Sequence, residues 1–146
     1  MVSPNAYLSP RQRIEGESAR RGRVAFVRGC ADLIRGDDSD AALIVVLGAG
    51  HARHILDDGV PEDQAYWFRV WAARGLLWVW DDLGTDAIRN ALADPAWRVR
   101  EMAAKVVARH QLGDLLPAVV VLRTDPTARV RSAAHRAVAV LTRAGA

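Results

Sequence analysis

The sequence has little cysteine and no long apolar run. Its 146 residues include one cysteine, Cys30, which excludes an intrachain disulfide and a multi-cysteine metal site. No apolar stretch reaches the roughly 18 residues that would suggest a membrane span, and the N-terminus lacks the apolar core of a secretory signal. We therefore expect a cytoplasmic chain in which Cys30 is a small buried residue.

Catalytic signatures are also missing. The sequence has no glycine-rich phosphate loop, no nucleophile motif and no carboxylate pair that periodicity would place in one pocket. The consecutive pairs Asp57-Asp58 and Asp81-Asp82 point to different helix faces and suit helix ends. His51 and His54 share a helix face, but two such histidines are more often incidental than metal ligands. We expect a protein that is not an enzyme and holds no cofactor or metal.

Charge is unevenly distributed along the chain. Of the 20 basic residues only Lys105 is a lysine, a bias typical of high-GC coding, so the abundance of arginine is not by itself a nucleic-acid signal. Residues 1–35 carry a net charge of +4, residues 36–96 carry −7 and residues 97–146 carry +6, which together give the overall +3. This order predicts a dipolar molecule with an acidic centre and basic ends.

A period of 31 residues organises the sequence. The run Asp94-Pro95 with Arg98-Val99-Arg100 recurs as Asp125-Pro126 with Arg129-Val130-Arg131. An earlier copy begins at Asp63, and a degenerate first copy aligns Ala41-Ala42 with Ala72-Ala73. The period predicts units near 37–62, 63–93, 94–124 and 125–146. They follow a helical cap over 9–36 and a flexible tail over 1–8.

Each unit is predicted to contain two helices, because its apolar residues recur at spacings of three and four. The predicted helices are 39–47 and 51–57, 64–80 and 85–93, and 96–110 and 114–123. Asp94 would be the N-cap of the 96–110 helix, with Pro95 in its first turn. In no segment do apolar and polar residues alternate with a period of two, as they would in a strand, so the predicted fold class is all-α.

These units resemble HEAT repeats, and within that family the short bacterial repeats first described in phycobilin lyases. The resemblance covers about residues 38–146 and rests on Asp94-Pro95, Val99-Arg100 and Ala103-Ala104 with their later copies. It implies an armadillo-like α-solenoid of stacked two-helix units, with second helices, carrying Arg53, Arg89 and Val120, along the concave side. It implies architecture more than function, because one scaffold hosts many roles.

The helix-start aspartate and the arginine six residues later resemble a structural pair of this family. The pairs are Asp63 and Arg69, Asp94 and Arg100, and Asp125 and Arg131. We expect them to form a ladder of charge-assisted hydrogen bonds between adjacent units. Removing Arg100 would then destabilise the fold by leaving a partly buried carboxylate unpaired.

A basic ridge is the first candidate binding surface. Helical geometry places six cations beside the apolar stripes of successive units: Arg74, Arg98, Lys105, Arg109, Arg129 and Arg136. Arg74, Lys105 and Arg136 follow one another at intervals of 31 residues. Such a row could follow a phosphate backbone or an acidic partner. The alternative is that these side chains contact the neighbouring unit or face water.

An aromatic cluster is the second candidate. Trp67 and Trp78, with Arg74, would form an aromatic and cationic patch of the kind enriched at binding hot spots. The alternative is that both rings pack against the first unit, where Ala41-Ala42 leaves space. Trp71 is expected in the core, with Gly75 making room for it.

Three functions remain open on the sequence alone. The favoured one is a non-enzymatic scaffold that binds an unidentified protein. The second is nucleic-acid binding through the basic ridge, and the third is an unrecognised enzyme related by resemblance to HEAT-like lyases or glycosylases. The last unit stops after one helix, so part of its apolar face is expected to be uncovered: Val130, Ala133, Ala134, Ala137, Val138 and Leu141. This predicts either a close single-helix cap or a homodimer through the C-terminal helix.

Overall fold

Helices account for the regular structure in the described part of the chain, which a computed structural model gives as residues 8–59 and 62–144. Within these ranges there is no strand, so the predicted all-α class is confirmed. The helices are α1 Pro10–Arg21, α2 Arg23–Ile34, α3 Ala41–Asp58, α4 Tyr66–Trp78, α5 Thr85–Ala91, α6 Trp97–His110, α7 Leu116–Val121 and α8 Ala128–Ala144. The predicted tail lies outside the described residues except for Leu8.

The helix starts differ from the prediction in one instructive way. Asp94 is not the N-cap of α6, because the helix begins after Ala96. The Asp94 carboxylate instead accepts the backbone N–H of Ala96 at 2.9 Å, and Asp125 accepts that of Thr127 at 2.9 Å before α8. Each aspartate therefore fixes the turn that precedes its helix rather than the first helical turn.

Helix α3 contains the predicted interruption at Gly48-Ala49-Gly50. Ala49 has φ 51° and ψ −129°, outside the helical region, so α3 consists of two helical segments joined at a sharp bend. The last carbonyl groups of the first segment lose their helical partners at this bend. They must be satisfied from elsewhere in the fold.

Helices α4, α6 and α8 lie side by side, and contacts between their corresponding ends show that they run in the same direction. At their starts, the Arg98 guanidinium reaches the Tyr66 hydroxyl at 3.5 Å. At the ends, His110 Nε2 donates to the carbonyl oxygen of Leu76 at 2.8 Å. Helix α5 packs on α2 and α6, and α7 packs on α8.

The first unit does not follow the predicted register. Ala41 and Ala42 are exposed, whereas the matched Ala72 and Ala73 are completely buried. Helix α2 packs closely on α4 in the opposite direction, since Arg23 at its start lies 3.7 Å from Asp81, which follows the end of α4. The alignment is wrong because a pair of alanines carries little information about which face is buried.

The core continues through both halves of the chain. Cys30 is buried as expected, and its burial raises the pKa of the thiol. Trp71 is buried too, but the glycine beneath it is Gly48, where a Cβ would come within 2.6 Å of the indole ring. Gly75 was predicted to have that role. A Cβ there would instead meet Phe26, Cys30 and Leu47.

The C-terminal helix is better covered than expected. Val130, Ala134 and Ala137 are completely buried, Ala133 and Leu141 nearly so, and Val138 is half-buried. Helices α6 and α7 cover this face, and the outer side of α8 is polar. The exposed apolar face that suggested a homodimer through this helix is therefore absent from the described residues. No helix in the described part of the chain is long and apolar enough to cross a bilayer.

Candidate functional site

Two arginine–aspartate contacts join successive helices of the parallel row. Arg69 Nε donates to Asp94 Oδ2 at 2.7 Å and Arg100 Nε donates to Asp125 Oδ2 at 2.8 Å, each with a second bond to the other carboxylate oxygen at 3.2 Å. The partner is thus the aspartate 25 residues later, in the next unit, as a ladder between units requires. Arg100 also donates to the backbone carbonyl of Asp94 at 2.8 Å.

The outer members of the predicted ladder behave differently. Asp63 is exposed and lies in a 3-10 turn, Glu62–Gln64. Arg131 donates to the backbone carbonyl of Asp125 at 2.8 Å and has no carboxylate partner among the described residues. Burial by itself would raise the pKa of Asp125, but the hydrogen bonds from Arg100 and the Thr127 N–H outweigh it and leave that pKa lowered. These groups hold the fold together and are not arranged to receive a ligand.

The N-terminal half has an ionic contact of its own that the sequence reasoning missed. Arg21 Nη1 donates to Asp40 at 2.7 Å and its Nε donates to the nearly buried Glu17 at 2.9 Å. The hydrogen bond from Arg21 lowers the pKa of Asp40. A search at 31-residue intervals does not find this pair, because its members are 19 residues apart.

Arg74 does not belong to the basic ridge, contrary to the prediction. Its Nη2 donates to the carbonyl oxygen of Leu47 at 2.5 Å, and its Nε is buried without a partner among the described residues. Arg13 donates in the same way to Val46 O at 3.0 Å. Both carbonyls precede the bend at Ala49, so the two cations complete the end of that helical segment. Burial lowers the pKa of Arg74, and the nearby Arg13 lowers it further.

Arg98 and Arg129 share the ring of Trp97: the Arg129 guanidinium carbon lies 5.5 Å from its centroid, and Arg98 lies closer. The Arg98 guanidinium carbon is 4.4 Å from the ring centroid of Trp97, 5.5 Å from that of Trp67 and 5.9 Å from that of Tyr66. Tyr66 and Trp97 were missed as members of this cluster. Their 31-residue spacing, at the starts of α4 and α6, is the sequence signal that could have identified them.

The four remaining cations of the predicted ridge line one groove, which we call the basic groove. It has a volume of about 590 Å³ and crosses the C-terminal part of α4 and the facing sides of α6 and α8. The cations are Lys105, Arg109, Arg129 and Arg136. Its other lining residues are Leu77, Trp78, Glu101, Ala108, Ala128, Ser132, Ala133 and Val140. The groove therefore combines an apolar floor with a cationic rim.

Comparison with protein-family models, curated proteins and solved structures finds no match for this chain. The function of the basic groove is therefore inferred from its own residues.

Glu101 is the single acid among the described residues that line the groove. It is nearly buried, and its Oε1 lies 3.2 Å from Lys105 Nζ and 3.0 Å from Arg129 Nη2. Arg109 and Arg136 are exposed and make no ion pair within the described residues. Glu101 thus offsets one of the four positive charges of the groove, and Arg109 and Arg136 are the two cations that it does not contact.

Trp67 and Trp78 do not form one patch. They are 11 residues apart on α4, so about 16 Å of helix separates them. Trp67 packs against Trp71 of its own helix, with ring centroids 6.2 Å apart, and against His51 of α3 at 5.6 Å. Trp78 is part of the groove, and the guanidinium groups of Arg11 and Arg109 lie 4.8 and 5.3 Å from its ring centroid.

The histidines lie outside the groove. His51 contacts the edge of Trp71 at 5.1 Å between centroids, and His54 Nδ1 lies 2.9 Å from an Asp58 oxygen. No group of three metal-ligating side chains occurs within the described ranges. His110 stacks on Trp80 with centroids 5.0 Å apart, and burial lowers its pKa although the hydrogen bond to Leu76 opposes the shift.

Proposed function

We propose that the protein is a non-enzymatic interaction module, a short armadillo-like α-solenoid of HEAT-like units, that holds a protein partner in the basic groove. The observation that carries this proposal is the groove itself, which joins an apolar floor to a cationic rim across three parallel helices. Interfaces need both a desolvated apolar centre and polar groups around it.

The solenoid part of the proposal is supported by how the units are joined. Helices α4, α6 and α8 form one parallel row, while α5 and α7 contribute none of the groove-lining residues. Arg69 and Arg100 each reach the aspartate of the following unit. A row of equivalent helices linked by equivalent contacts is the arrangement that stacked two-helix repeats adopt.

The location of the groove departs from what the family resemblance implied. The resemblance placed the binding surface on the second helices, with Arg53, Arg89 and Val120. Arg53 and Arg89 are exposed, and Arg89 is paired with Asp86, but neither lines the groove. We therefore assign binding to the first helices, α4, α6 and α8.

Nucleic-acid binding is the second candidate function, and the four groove cations favour it. A phosphate backbone is attracted by any such cluster, and its binding weakens steeply with added salt. The groove carries less positive charge than the sequence suggested, because Arg74 and Arg98 do not line it and Glu101 offsets one of its four positive charges.

An affinity capture with matched variants tests the assignment. The purified protein is compared with Arg109→Glu/Arg136→Glu in the groove and with Arg53→Glu/Arg89→Glu on the second helices. We expect the wild type and the second-helix variant to capture the same protein and the groove variant to lose it. Thermal melts establish that all three are folded.

The opposite pattern would contradict the proposal. Loss of the partner in the Arg53→Glu/Arg89→Glu protein alone would place binding on the second helices. Recovery of DNA or RNA instead of protein, with binding that disappears between low and physiological salt, would establish the second candidate.

A further inference from the structure

We propose that the groove receives an acidic peptide segment whose central side chains are apolar, an inference that rests on the proposed function and specifies its ligand. Four cations and one carboxylate line the groove, so its formal charge is +3. The other seven lining residues are uncharged, and all of them except Ser132 are apolar, with Leu77, Trp78 and Val140 the largest. The ligand must therefore bring both carboxylates and apolar groups.

The spacing of the cations suits a short stretch of peptide. Arg129 and Arg136 are seven residues apart on α8, which corresponds to about 10 Å along the helix. An extended peptide covers that distance in about three residues. The volume of about 590 Å³ lies within the range of sites that enclose a few side chains or a small molecule.

A nucleic acid fits the same groove less well. Its phosphates would meet Arg109 and Arg136, but nothing on its backbone would cover the apolar floor. Base stacking on Trp78 would compete with the two guanidinium groups that already lie over that ring.

A change at Glu101 should raise the affinity for an acidic ligand, whereas the other groove variants should lower it. The Glu101 carboxylate occupies the position between Lys105 and Arg129 that a ligand carboxylate would otherwise take. The change Glu101→Gln keeps the shape and frees both cations, so an acidic ligand should bind more tightly to the variant. The loss of a groove cation should do the reverse.

Fluorescence anisotropy with three labelled hexapeptides provides the measurement. The probe is Glu-Glu-Leu-Leu-Glu-Glu; Glu-Glu-Gly-Gly-Glu-Glu lacks the apolar centre, and Lys-Lys-Leu-Leu-Lys-Lys lacks the acids. At about 20 mM salt, where screening is weak, the probe should bind the wild type about tenfold more tightly than either control peptide.

The second half of the experiment measures the affinity of protein variants for the probe peptide. Affinity for the probe should fall about tenfold in Arg109→Glu/Arg136→Glu and rise about threefold in Glu101→Gln. It should be unchanged in Arg53→Glu/Arg89→Glu, which alters the same number of charges outside the groove.

Several outcomes would overturn the inference. If the glycine peptide bound as tightly as the probe, the apolar floor would not contribute to recognition. If the probe bound Glu101→Gln more weakly than the wild type, the charge argument would be contradicted. Tighter binding of a thymidine oligonucleotide of about twelve nucleotides would favour nucleic acid. If no peptide binds while the capture experiment still yields a groove-dependent partner, the proposed function stands and the acidic-peptide inference fails.

Discussion

The two halves of this chain use the same side-chain chemistry with different regularity. From α4 to α8, arginine meets aspartate at a constant separation of 25 residues, and the helices repeat at 31. From α1 to α3, Arg21 meets Asp40 at a separation of 19, and α1 and α3 run in opposite directions. The charge-assisted contact is therefore common to both halves, whereas the periodic geometry belongs to one.

The two halves differ in how deeply these charge-assisted contacts are buried. In the regular half each aspartate is nearly buried between two units, and the same contact is made twice. In the irregular half the Asp40 side chain remains 40% exposed, and the bend of α3 requires Arg13 and Arg74 to satisfy its free carbonyls. Equivalent contacts should therefore differ in strength between the halves.

The largest expected effect follows from the loss of a buried contact in the regular half. Arg100→Ala should lower the free energy of unfolding by about 3 kcal/mol, because it leaves the Asp125 side chain, only 5% exposed, without its cation. Arg21→Ala in the irregular half should lower it by only about 1 kcal/mol, because water can reach Asp40. Urea denaturation of both variants makes the comparison, and equal losses would contradict it.

The same pair predicts a pH dependence. The pKa of Asp125 is lowered in the fold, so the unfolded chain binds its proton more readily than the native protein does. The stabilisation is present above about pH 4, near the ordinary pKa of an aspartate, and is lost as the pH falls through the native value. Arg100→Ala should flatten the acid limb of the stability curve.

A clash in the irregular half should give the second largest effect. Gly48→Ala would place a Cβ 2.6 Å from the Trp71 ring and should lower the free energy of unfolding by about 2 kcal/mol. The matched control is Gly16→Ala, in α1, where nothing lies within 4 Å. That control should stabilise the protein by about 0.5 kcal/mol, because alanine favours a helix interior over glycine. A destabilised control would show that the cost arises from the helix and not from the indole.

Arg74 and Lys105 occupy equivalent positions in the 31-residue period but have different surroundings in the structure. They stand 31 residues apart, but Arg74 is bound to Leu47 O and Lys105 is exposed beside Glu101. Arg74→Ala should lower the free energy of unfolding by about 1.5 kcal/mol, and Lys105→Ala by less than about 0.5 kcal/mol. Similar losses in thermal or urea melts would mean that the bend of α3 does not depend on Arg74.

The smallest expected effect is a shallow pH dependence near neutrality. Because burial lowers the pKa of His110, the unfolded chain binds more protons below about pH 6.5. Stability should therefore decrease as the pH falls from about 7 to about 5, and His110→Gln should remove that slope. The exposed His135 provides the control, since His135→Gln should leave the slope unchanged. An unchanged slope in His110→Gln would assign it to another group.

The sequence predicted the regular half well because apolar spacing determines which residues a helix buries. The predicted helix 96–110 agrees with α6, Trp97–His110, to within one residue. In the first unit the predicted interruption is present, but the alignment of Ala41-Ala42 with Ala72-Ala73 is wrong because two alanines define no apolar stripe. The packing of α2 against α4 depends on the path of the chain between the helices, which residue periodicity does not encode.

The candidate site was predicted in part. Helical geometry identified Lys105, Arg109, Arg129 and Arg136 as neighbours, and these four line the groove. It placed Arg74 with them because Arg74 stands 31 residues before Lys105 in the sequence. The contact of Arg74 with the Leu47 carbonyl oxygen, which is left free by the predicted interruption at Ala49, is a tertiary effect that helical periodicity does not report.

The parallel row of α4, α6 and α8 also makes the length of the binding surface adjustable. An additional copy of residues 94–124, inserted in frame, would supply one more ladder aspartate, one more linking arginine and two more groove cations, equivalent to Lys105 and Arg109, at the places where its neighbours have them. It would extend the row by about 10 Å, the distance between packed helices. The number of units, rather than the identity of any side chain, would then determine how many residues of a partner are held.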